Sequence, residues 1–434
     1  MPTARATSQP AGRAGADCTA PRVAFCETPL VNETANCNVL SSEDDVAILT
    51  SLTQRFARNP LSVLLLCENS WKIFHGTSVD GAICYFEAFR TAVVWSDPLC
   101  AEQDTEALLL EFRTHMKARG WTVCFLAIQE RTAVASLQQG SAVLKVGEEP
   151  VFNLRTWQRP RGDRGKRLRW SLNKAAKAGI VVSRYIPAQG RQPLIESEIC
   201  TVVVKWQQGL GREATTSILR TAPLEQAERK QIFLARRGGR VEAVLSCSPI
   251  YGRNGWYLED LIRLPTAAEG ATELLTVAAL EALAADGYAF ATLGIAPLRG
   301  FDQQLDGRAR WLASALRLVF DRLDNRFHFK ALSTYKSKFE PSGWEPAFVA
   351  IQPAWPTLRL IRAVLAVLEN SPPKQRPGIS SVTRLPILAR AGAFGLTGLI
   401  AWNTMVLHRS PAATVIAISA AVLLWVVGGL LPKV

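Results

Sequence analysis

A chain of 434 residues is long enough for two domains of ordinary size plus appendages, and its mean hydropathy of +0.08 is mildly apolar. Fifty Lys and Arg against 37 Asp and Glu leave a net charge of +13, which suits a polyanion, either nucleic acid or the anionic face of a membrane. Nine cysteines without a C-x-x-C pair, and four histidines in no repeating pattern, argue against zinc or a disulfide framework and for small buried hydrophobes in a reducing compartment.

Met1–Ala20 is rich in Ala, Arg, Thr and Gly and has no apolar core, which predicts a disordered leader, drawn here over 1–42, rather than a secretory signal. Between residues 42 and 352 strands and helices alternate. Asp44–Arg58 has helical spacing, Leu61–Cys67 reads as a strand, Gly81–Trp95 as a pair of strands, Glu102–Arg119 as a helix and Trp121–Gln129 as a strand. A short helix from about Arg131 and a strand at Val143–Val146 close this first unit. The second unit opens with a basic helix, Arg164–Ala178, ended by Gly179. A strand at Ile180–Ile186 and a helix at Glu196–Gln208 follow. Gln231–Ala235, Val241–Ser248 and Trp256–Ile262 read as successive antiparallel strands, Ala268–Asp286 as a long helix and Tyr288–Leu293 as a strand. Two α/β units of similar layout predict a tandem repeat.

The C-terminal end differs sharply. Leu358–Leu368 is an apolar helix with interspersed arginines, able to lie on a membrane surface or to pack on the preceding domain. Pro372-Pro373 and Pro377-Gly378 mark a linker. Ile387–Leu407 and Ala412–Leu431 are almost wholly apolar, each about 20 residues, the length a helix needs to cross a bilayer, with His408–Pro411 as the turn. A transmembrane hairpin is the expectation, with the large domain cytoplasmic because no signal peptide precedes it.

Four stretches carry chemistry. In Glu259-Asp260-Leu261-Ile262-Arg263, strand alternation sets Glu259 and Leu261 on one face and Asp260 and Ile262 on the other, with Arg263 at the strand end able to turn back towards Asp260. An acid suits an ammonium or a hydroxyl proton and an arginine a phosphate or oxyanion, although a structural ion pair has the same spacing. Leu293-Gly294-Ile295-Ala296-Pro297-Leu298 follows a strand as a tight turn. Tyr335-Lys336-Ser337-Lys338-Phe339-Glu340-Pro341 sets two lysines two residues apart on an amphipathic segment. The basic helix region crowds Arg159, Arg161, Arg164, Lys166, Arg167, Arg169, Lys174 and Lys177 together, with Trp157 and Trp170 interleaved, a density suited to phosphates with aromatics able to stack on unpaired bases.

Together these stretches resemble the cytosolic catalytic region of bacterial phosphatidylglycerol lysyltransferases and alanyltransferases, the multiple peptide resistance factor family. Asp260–Arg263 is similar to the family's Asp-Leu-Met-Arg, with Ile262 for Met, and Leu293–Leu298 to its Leu-Gly-Met-Ala-Pro-Leu, with Ile295 for Met. The lysine segment resembles Phe-Lys-x-Lys-Phe-x-Pro-x-Trp, lengthened by one before Trp344. Leu168-Arg169 and Asn173-Lys174 match a Leu-Arg…Asn-Arg pattern, and Val146-Gly147-Glu148-Glu149 is similar to Leu-Gly-Glu-Glu, expected as a joint between the folds. The resemblance covers about residues 60–352. It implies two GNAT-type acyltransferase folds, 43–150 and 151–352, the second holding the active site, followed by an amphipathic helix and linker over 353–384 and the transmembrane hairpin over 385–434.

The implied activity is transfer of an aminoacyl group from charged tRNA to a membrane lipid hydroxyl, by default phosphatidylglycerol, at the bacterial inner membrane. Asp260 and Arg263 would organise donor and acceptor, Lys336 or Lys338 would polarise the ester, and Gly294, Pro297, Arg167, Arg169, Asn173 and Lys174 would contact substrates. No bound cofactor or metal is expected, aminoacyl-tRNA being the co-substrate. The connection after Arg263, Leu264–Gly270, has one Gly and an acidic neighbour where a CoA-binding fold would place a Gly-rich pyrophosphate loop. The rivals are an N-acyltransferase acting on a small amine or peptide and a catalytically silent, membrane-tethered adaptor.

Overall fold

The computed structural model describes residues 43–66, 71–210, 221–305, 329–354 and 357–368, all within the compact unit Asn38–Val434. The expected leader and transmembrane hairpin lie outside the described residues, among which no helix is long and apolar enough to cross a membrane.

The first half comprises α1 (Glu43–Phe56), β1 (Lys72–His75), β2 (Gly81–Ala88), β3 (Thr91–Trp95), β4 (Leu99–Cys100), α2 (Thr105–Ala118), β5 (Thr122–Ile128), α3 (Glu130–Gln138) and β6 (Ala142–Asn153). The second comprises α4 (Lys166–Lys177), β7 (Val181–Tyr185), α5 (Pro193–Leu210), β8 (Gln231–Arg237), β9 (Arg240–Ile250), β10 (Gly255–Arg263), α6 (Ala271–Ala285), β11 (Phe290–Thr292), β12 (Ala296–Pro297), α7 (Phe329–Ser337) and β13 (Gly343–Gln352). Helix α8 (Leu358–Leu368) ends the described chain.

Each half has the same plan. An antiparallel run, β1-β2-β3 or β7-β8-β9-β10, is followed by a helix and then a strand laid parallel to the last of the run, β5 on β3 and β11 on β10. This is a mixed α/β layout, given twice. The halves are not separable along the sequence, because one sheet runs β1-β2-β3-β5-β13-β6-β11-β10-β9-β8-β7. Strand β6 of the first half pairs with β11 of the second, and β13 of the second inserts between β5 and β6. The expected boundary at 150/151 therefore falls inside β6, which is twelve residues long where sequence pattern picked out Val143–Val146.

Leu61–Cys67, expected as a strand, is a 3-10 helix over Pro60–Leu66. Its start is fixed by Asn59, whose side-chain oxygen accepts the Leu61 N–H at 2.9 Å and whose carbonyl accepts that of Ser62. Pro60, Val63 and Leu65 are buried as a strand's apolar residues would be, and a short apolar run carries no period that separates the two. Helix α8 packs Leu360, Ala363 and Ala366 against Ala88, Val93, Cys124 and Leu126 of the first half, so its apolar stripe is spent on the domain. Arg362 lies over the Phe89 ring at 4.4 Å.

The second-half sheet has two faces. Leu245, Cys247 and Leu258 belong to the core under α4 and α6, whereas Val244 and Ile262 belong to the core under α5. Two of the motif stretches meet at the centre. Ala296 and Pro297 pair with Glu148 and Gly147, and a Cβ on Gly147 would sit 2.6 Å from the Ala296 carbonyl oxygen. Backbone cannot retreat as a side-chain tip can, so Gly147→Ala is expected to cost about 1–3 kcal/mol. Thermal unfolding should show a lowered midpoint; an unchanged one would mean that the crossing relaxes around a methyl group.

Candidate functional site

Strands β10 and β11 stay paired only at Gly255, Trp256 and Tyr257, opposite Phe290, Ala291 and Thr292. Beyond that point β10 continues to Arg263 against β9 alone, while the chain after Thr292 turns through Gly294 into β12 against β6. A gap opens in the sheet there, and the acid, the turn and a lysine named from sequence all border it.

On the β10 side the ladder is irregular. Leu258 opposes Cys247 and Leu261 opposes Leu245, so Glu259 and Asp260 together face the single residue Ser246. This bulge overrides the alternation expected from sequence and turns both carboxylates to the α5 face. Ser246 donates to Asp260 at 3.1 Å and accepts from its backbone N–H at 3.3 Å, and Ser248 donates to Glu259 at 2.6 Å. Lys230, buried, lies 3.1 Å from Glu259. Burial, and then the charge of Glu259, raise the Asp260 carboxyl to about 7. Arg263 does not turn back to Asp260. It pairs with Ala243 on the α4/α6 face and is exposed at the strand end.

On the β11 side Gly294 has a φ of 72° and lies so close to Tyr257 that a Cβ would meet the ring at 2.7 Å, two reasons for glycine at this turn. Thr292 accepts the Gly294 N–H at 3.0 Å and donates to Glu149 at 2.7 Å. Tyr257 is the link across the gap: burial and then the charges of Glu259, Asp260 and Glu149 hold its phenol well above the ordinary range.

The two lysines separate. Lys336, 5% exposed, donates to the carbonyls of Gly294 and Ile295 at 2.7 and 2.8 Å. Burial lowers its ammonium to about 7, opposed by the charge of Glu149. An ammonium has three donors, and the third has no partner among the described residues. Helix α7 holds it there by packing on the α6 side, with Phe339 just beyond its end in the core and Tyr335 within hydrogen-bond distance of Thr276 at 3.1 Å. Lys338 points elsewhere, pairing with Glu273 of α6 at 2.9 Å.

The basic helix is partly committed to structure. Leu168, Ser171 and Ala175 form its buried stripe. Arg169 donates to the carbonyl of Gly162 at 2.6 Å and Lys174 pairs with Glu269 at 2.6 Å while lying over the Trp170 ring. Trp157, counted among possible stacking aromatics, is half-buried against Phe152 and donates to the Phe339 carbonyl, so it serves the core. Arg167, Asn173, Lys177 and Trp170 remain exposed, the last at 52%. In the turn before α6 the Ala268 N–H is occupied by the Glu242 carboxylate at 3.0 Å, and Gly270, which caps the helix, abuts the Ser171 carbonyl of α4.

Sequence reasoning missed Lys230, Ser246, Ser248, Tyr257 and Thr292, and gave Glu149 only a joint's role. The signal for the serines was present: polar residues two apart in the otherwise apolar run from Ala243 to Ile250.

Acid, hydroxyl and ammonium groups thus border a gap between parallel strands in a mixed α/β fold. Residues 50–351 match the family described as phosphatidylglycerol lysyltransferase, C-terminal, and the chain belongs to that family. Phosphatidylglycerol lysyltransferases from two strains of Staphylococcus epidermidis are 24% identical over 333 residues, 75% of this chain and 38% of each relative. The lysylphosphatidylglycerol biosynthesis bifunctional protein LysX of Rhodococcus jostii is 20% identical over 320 residues, 73% of this chain and 28% of its own length. The chain thus spans well under half of these relatives. Among solved structures, the C-terminal domain of a putative lysylphosphatidylglycerol synthetase from Agrobacterium fabrum superposes with a TM-score of 0.61 at 21% identity, covering 75% of this chain and 96% of that one. L-PGS from Bacillus licheniformis gives 0.60 at 18%, covering 76% and 97%. These two likenesses are of fold.

The site predicts its own pH dependence. The Asp260 carboxyl stands at about 7 in the folded protein, above its ordinary 3.8, so the stability it contributes is complete below about pH 4 and is lost as pH rises through 7. Asp260→Asn escapes that loss. Relative to wild type, the variant should gain on the order of 1–3 kcal/mol between pH 4 and pH 8. Unfolding midpoints at pH 4, 6 and 8 measure this, and a difference that stays constant with pH would show an ordinary carboxylate.

Proposed function

We propose that the chain transfers an aminoacyl group from aminoacyl-tRNA to the free hydroxyl of phosphatidylglycerol, forming an aminoacylated lipid of lysyl or alanyl type. The observation that carries this reading is the gap itself, bordered by a carboxyl poised near neutrality and by an ammonium with one donor to spare. Family membership supplies the lipid, through relatives whose names state lysyl transfer to phosphatidylglycerol.

In this mechanism ionised Asp260 takes the proton of the lipid hydroxyl as its oxygen attacks the ester carbonyl carbon. The carbonyl oxygen gains negative charge and meets the remaining N–H of Lys336. Collapse breaks the bond to the tRNA ribose oxygen, which recovers the proton from Asp260. The donor ester is already activated, so the transfer needs neither ATP nor a metal. Arg263, exposed at the strand end, is assigned to a phosphate of lipid or tRNA, and the exposed Arg167, Asn173 and Lys177 of α4 to the tRNA backbone. Gly294 and Pro297 shape the wall. The hairpin over 385–434 would tether the domain to the inner face of the membrane, with the catalytic part cytoplasmic.

The approach of α4 to Gly270, the residue that caps α6, weighs against an acyl-CoA donor, since a pyrophosphate needs room at that helix start.

The test is thin-layer analysis of radiolabelled lipids from a host lacking aminoacylated lipids, with one labelled amino acid supplied at a time. A ninhydrin-positive labelled lipid whose cell-free formation RNase abolishes is the expected result; no such lipid from a folded, membrane-inserted protein rejects the reading. Asp260→Ala and Lys336→Ala should each lower transfer by at least about 100-fold, the usual worth of positioned acid–base or oxyanion groups, while Lys338→Ala retains most activity. Equal losses at both lysines would contradict the separation of their roles.

The α4 assignment has its own measurement. Glutamates at Arg167 and Lys177 should weaken tRNA binding and lower the salt dependence by about 0.7–0.9 per lost phosphate contact. Arg169→Ala should act on stability instead, and an unchanged slope in the double variant removes α4 from the tRNA surface.

A further inference from the structure

Helix α8 lies on one particular face of the sheet. It packs on Val93 and Cys124, whereas their strand neighbours Val94 and Val123 face α2 on the other side. Val349 of β13 also touches the α8 core, and alternation along β13 carries that face through Ala347 to Glu345 and its ladder partner Glu149. The helix thus sits on the same side of the sheet as Glu149.

The outward side of α8 is basic. Its apolar stripe is spent on the domain, and Arg359 and Arg362, neighbours one turn apart, are exposed. Arg362 lies over Phe89 in the β2–β3 turn, which sets the exposed Arg90 beside it. The Arg90 carbonyl accepts the Thr122 N–H at 3.0 Å, so Arg119, three residues before Thr122, borders the same turn; its guanidinium lies over Trp121 at 4.2 Å. The acid that falls among these groups, Glu87, is already shared by Lys72 at 2.6 Å and Arg119 at 3.1 Å. Arg90, Arg359 and Arg362 have no ion-pair partner among the described residues. Three unpaired arginines gathered on a helix and the turn beside it repel one another, and an anionic surface relieves that repulsion.

A membrane suits these groups better than a nucleic acid. The rings that could stack on bases, Phe89 and Trp121, are each covered by a guanidinium. Helix α8 is also the last described element before the apolar run Ile387–Leu407, and the intervening residues 369–386 reach at most about 60 Å when fully extended.

We propose that α8 and the β2–β3 turn form an electrostatic docking surface for an anionic lipid bilayer, with Arg90, Arg359 and Arg362 set against the phosphates of its headgroups. Because the apolar stripe of α8 is spent on the domain, the helix rests on the headgroups without inserting, and the contact is one of charge. A tether over 385–434 lets a weak contact suffice, since a tethered domain meets the bilayer at high effective concentration. Docking of this kind goes beyond the transfer reading and does not depend on it.

The test is arginine footprinting of the full chain, purified in detergent and reconstituted into nanodiscs of phosphatidylcholine alone or of equal parts phosphatidylcholine and phosphatidylglycerol. Phenylglyoxal modification, read residue by residue by mass spectrometry, should slow by about 5-fold in the anionic discs at Arg90, Arg359, Arg362 and their neighbour Arg119, the worth of one basic residue at an anionic surface. It should be unchanged at Arg167, exposed on α4 on the other side of the sheet. High salt should erase the difference, because the Debye length falls to about 3 Å at 1 M. With glutamates at Arg90, Arg359 and Arg362 together, the slowing at Arg119 should disappear.

Equal rates in the two discs overturn the proposal, as do slowing of Arg167 to the same extent, slowing of Arg119 that persists in the folded variant, and a full chain recovered with neither disc. Protection of these arginines by tRNA in detergent, without any lipid effect, overturns it too and makes the surface a nucleic-acid site. The wild-type comparison stands whether or not the variant folds. Footprinting reads no turnover, so loss of this surface leaves the transfer reading standing, and failure of lipid transfer leaves the surface.

Discussion

The separation of β10 from β11 after three paired residues is the constraint on which the rest of the site depends. Parallel strands ordinarily continue side by side, because each unpaired N–H and carbonyl left inside a protein is costly. Here both strands find other partners. Strand β10 keeps β9, with a bulge that sets Glu259 and Asp260 opposite Ser246, and the chain beyond β11 folds onto β6 as β12. The carbonyls of Gly294 and Ile295 fall in the turn between and are satisfied by an ammonium instead of a neighbouring strand. Lys336 is thus part of how the gap is held open. Its removal should be expected to disturb structure as well as chemistry, and a lysine replaced by arginine would not restore the geometry, since a planar guanidinium cannot take the place of a compact ammonium between two carbonyls.

Keeping such a gap in the middle of a sheet requires rigid material on either side, and the exchange of strands provides it. Strand β13 enters the first half between β5 and β6, while β6 carries the second half's β11. Neither half closes its sheet with residues contiguous in sequence. The consequence is positional: the wall of a cavity beside the gap draws on the start of the first-half 3-10 helix, on β6, on β13 and on the turn after β11, elements that only the assembled sheet brings together. A boundary drawn at 150/151 cuts through the strand that bears Glu149.

Much of this was legible in the sequence, for identifiable reasons. The long amphipathic helices, the three strands from Gln231 to Ile262 and the basic helix show strong periods and clear stops, and all appear near their expected bounds. Asp260, Gly294 and the lysine pair were singled out by motif, and the gap brings Asp260, Gly294 and Lys336 to its borders. What sequence could not show is long-range. The bulge at Glu259 and Asp260 depends on a ladder with β9, so alternation assigned the two acids to opposite faces. Arg263, expected to turn back towards Asp260 from the strand end, is put on the other side by the register. Strand β13, with a glycine, a glutamate and a proline among its first four residues, has weak strand character by itself and is held by the partners on its two flanks.

The chemistry of the site also explains why its groups are so poorly matched in charge. Asp260, Glu149 and Lys336 are all displaced towards neutrality, the acids upward and the amine downward, and burial is the first cause in each case. A fold selected only for stability would replace them with apolar residues or pair them directly, as Glu259 is paired with Lys230. Direct pairing would also remove their use. Asp260 bonded to a fixed cation would be too weak a base for a hydroxyl, and Lys336 paired with Glu149 would have no donor left for a developing oxyanion. The arrangement keeps these groups near enough to influence one another through space and bonded to neutral partners, namely Ser246, Thr292 and two carbonyls. Charge brought in by a substrate then has somewhere to go. That is the physical sense in which the site is incomplete alone, and it follows from where the sheet parts.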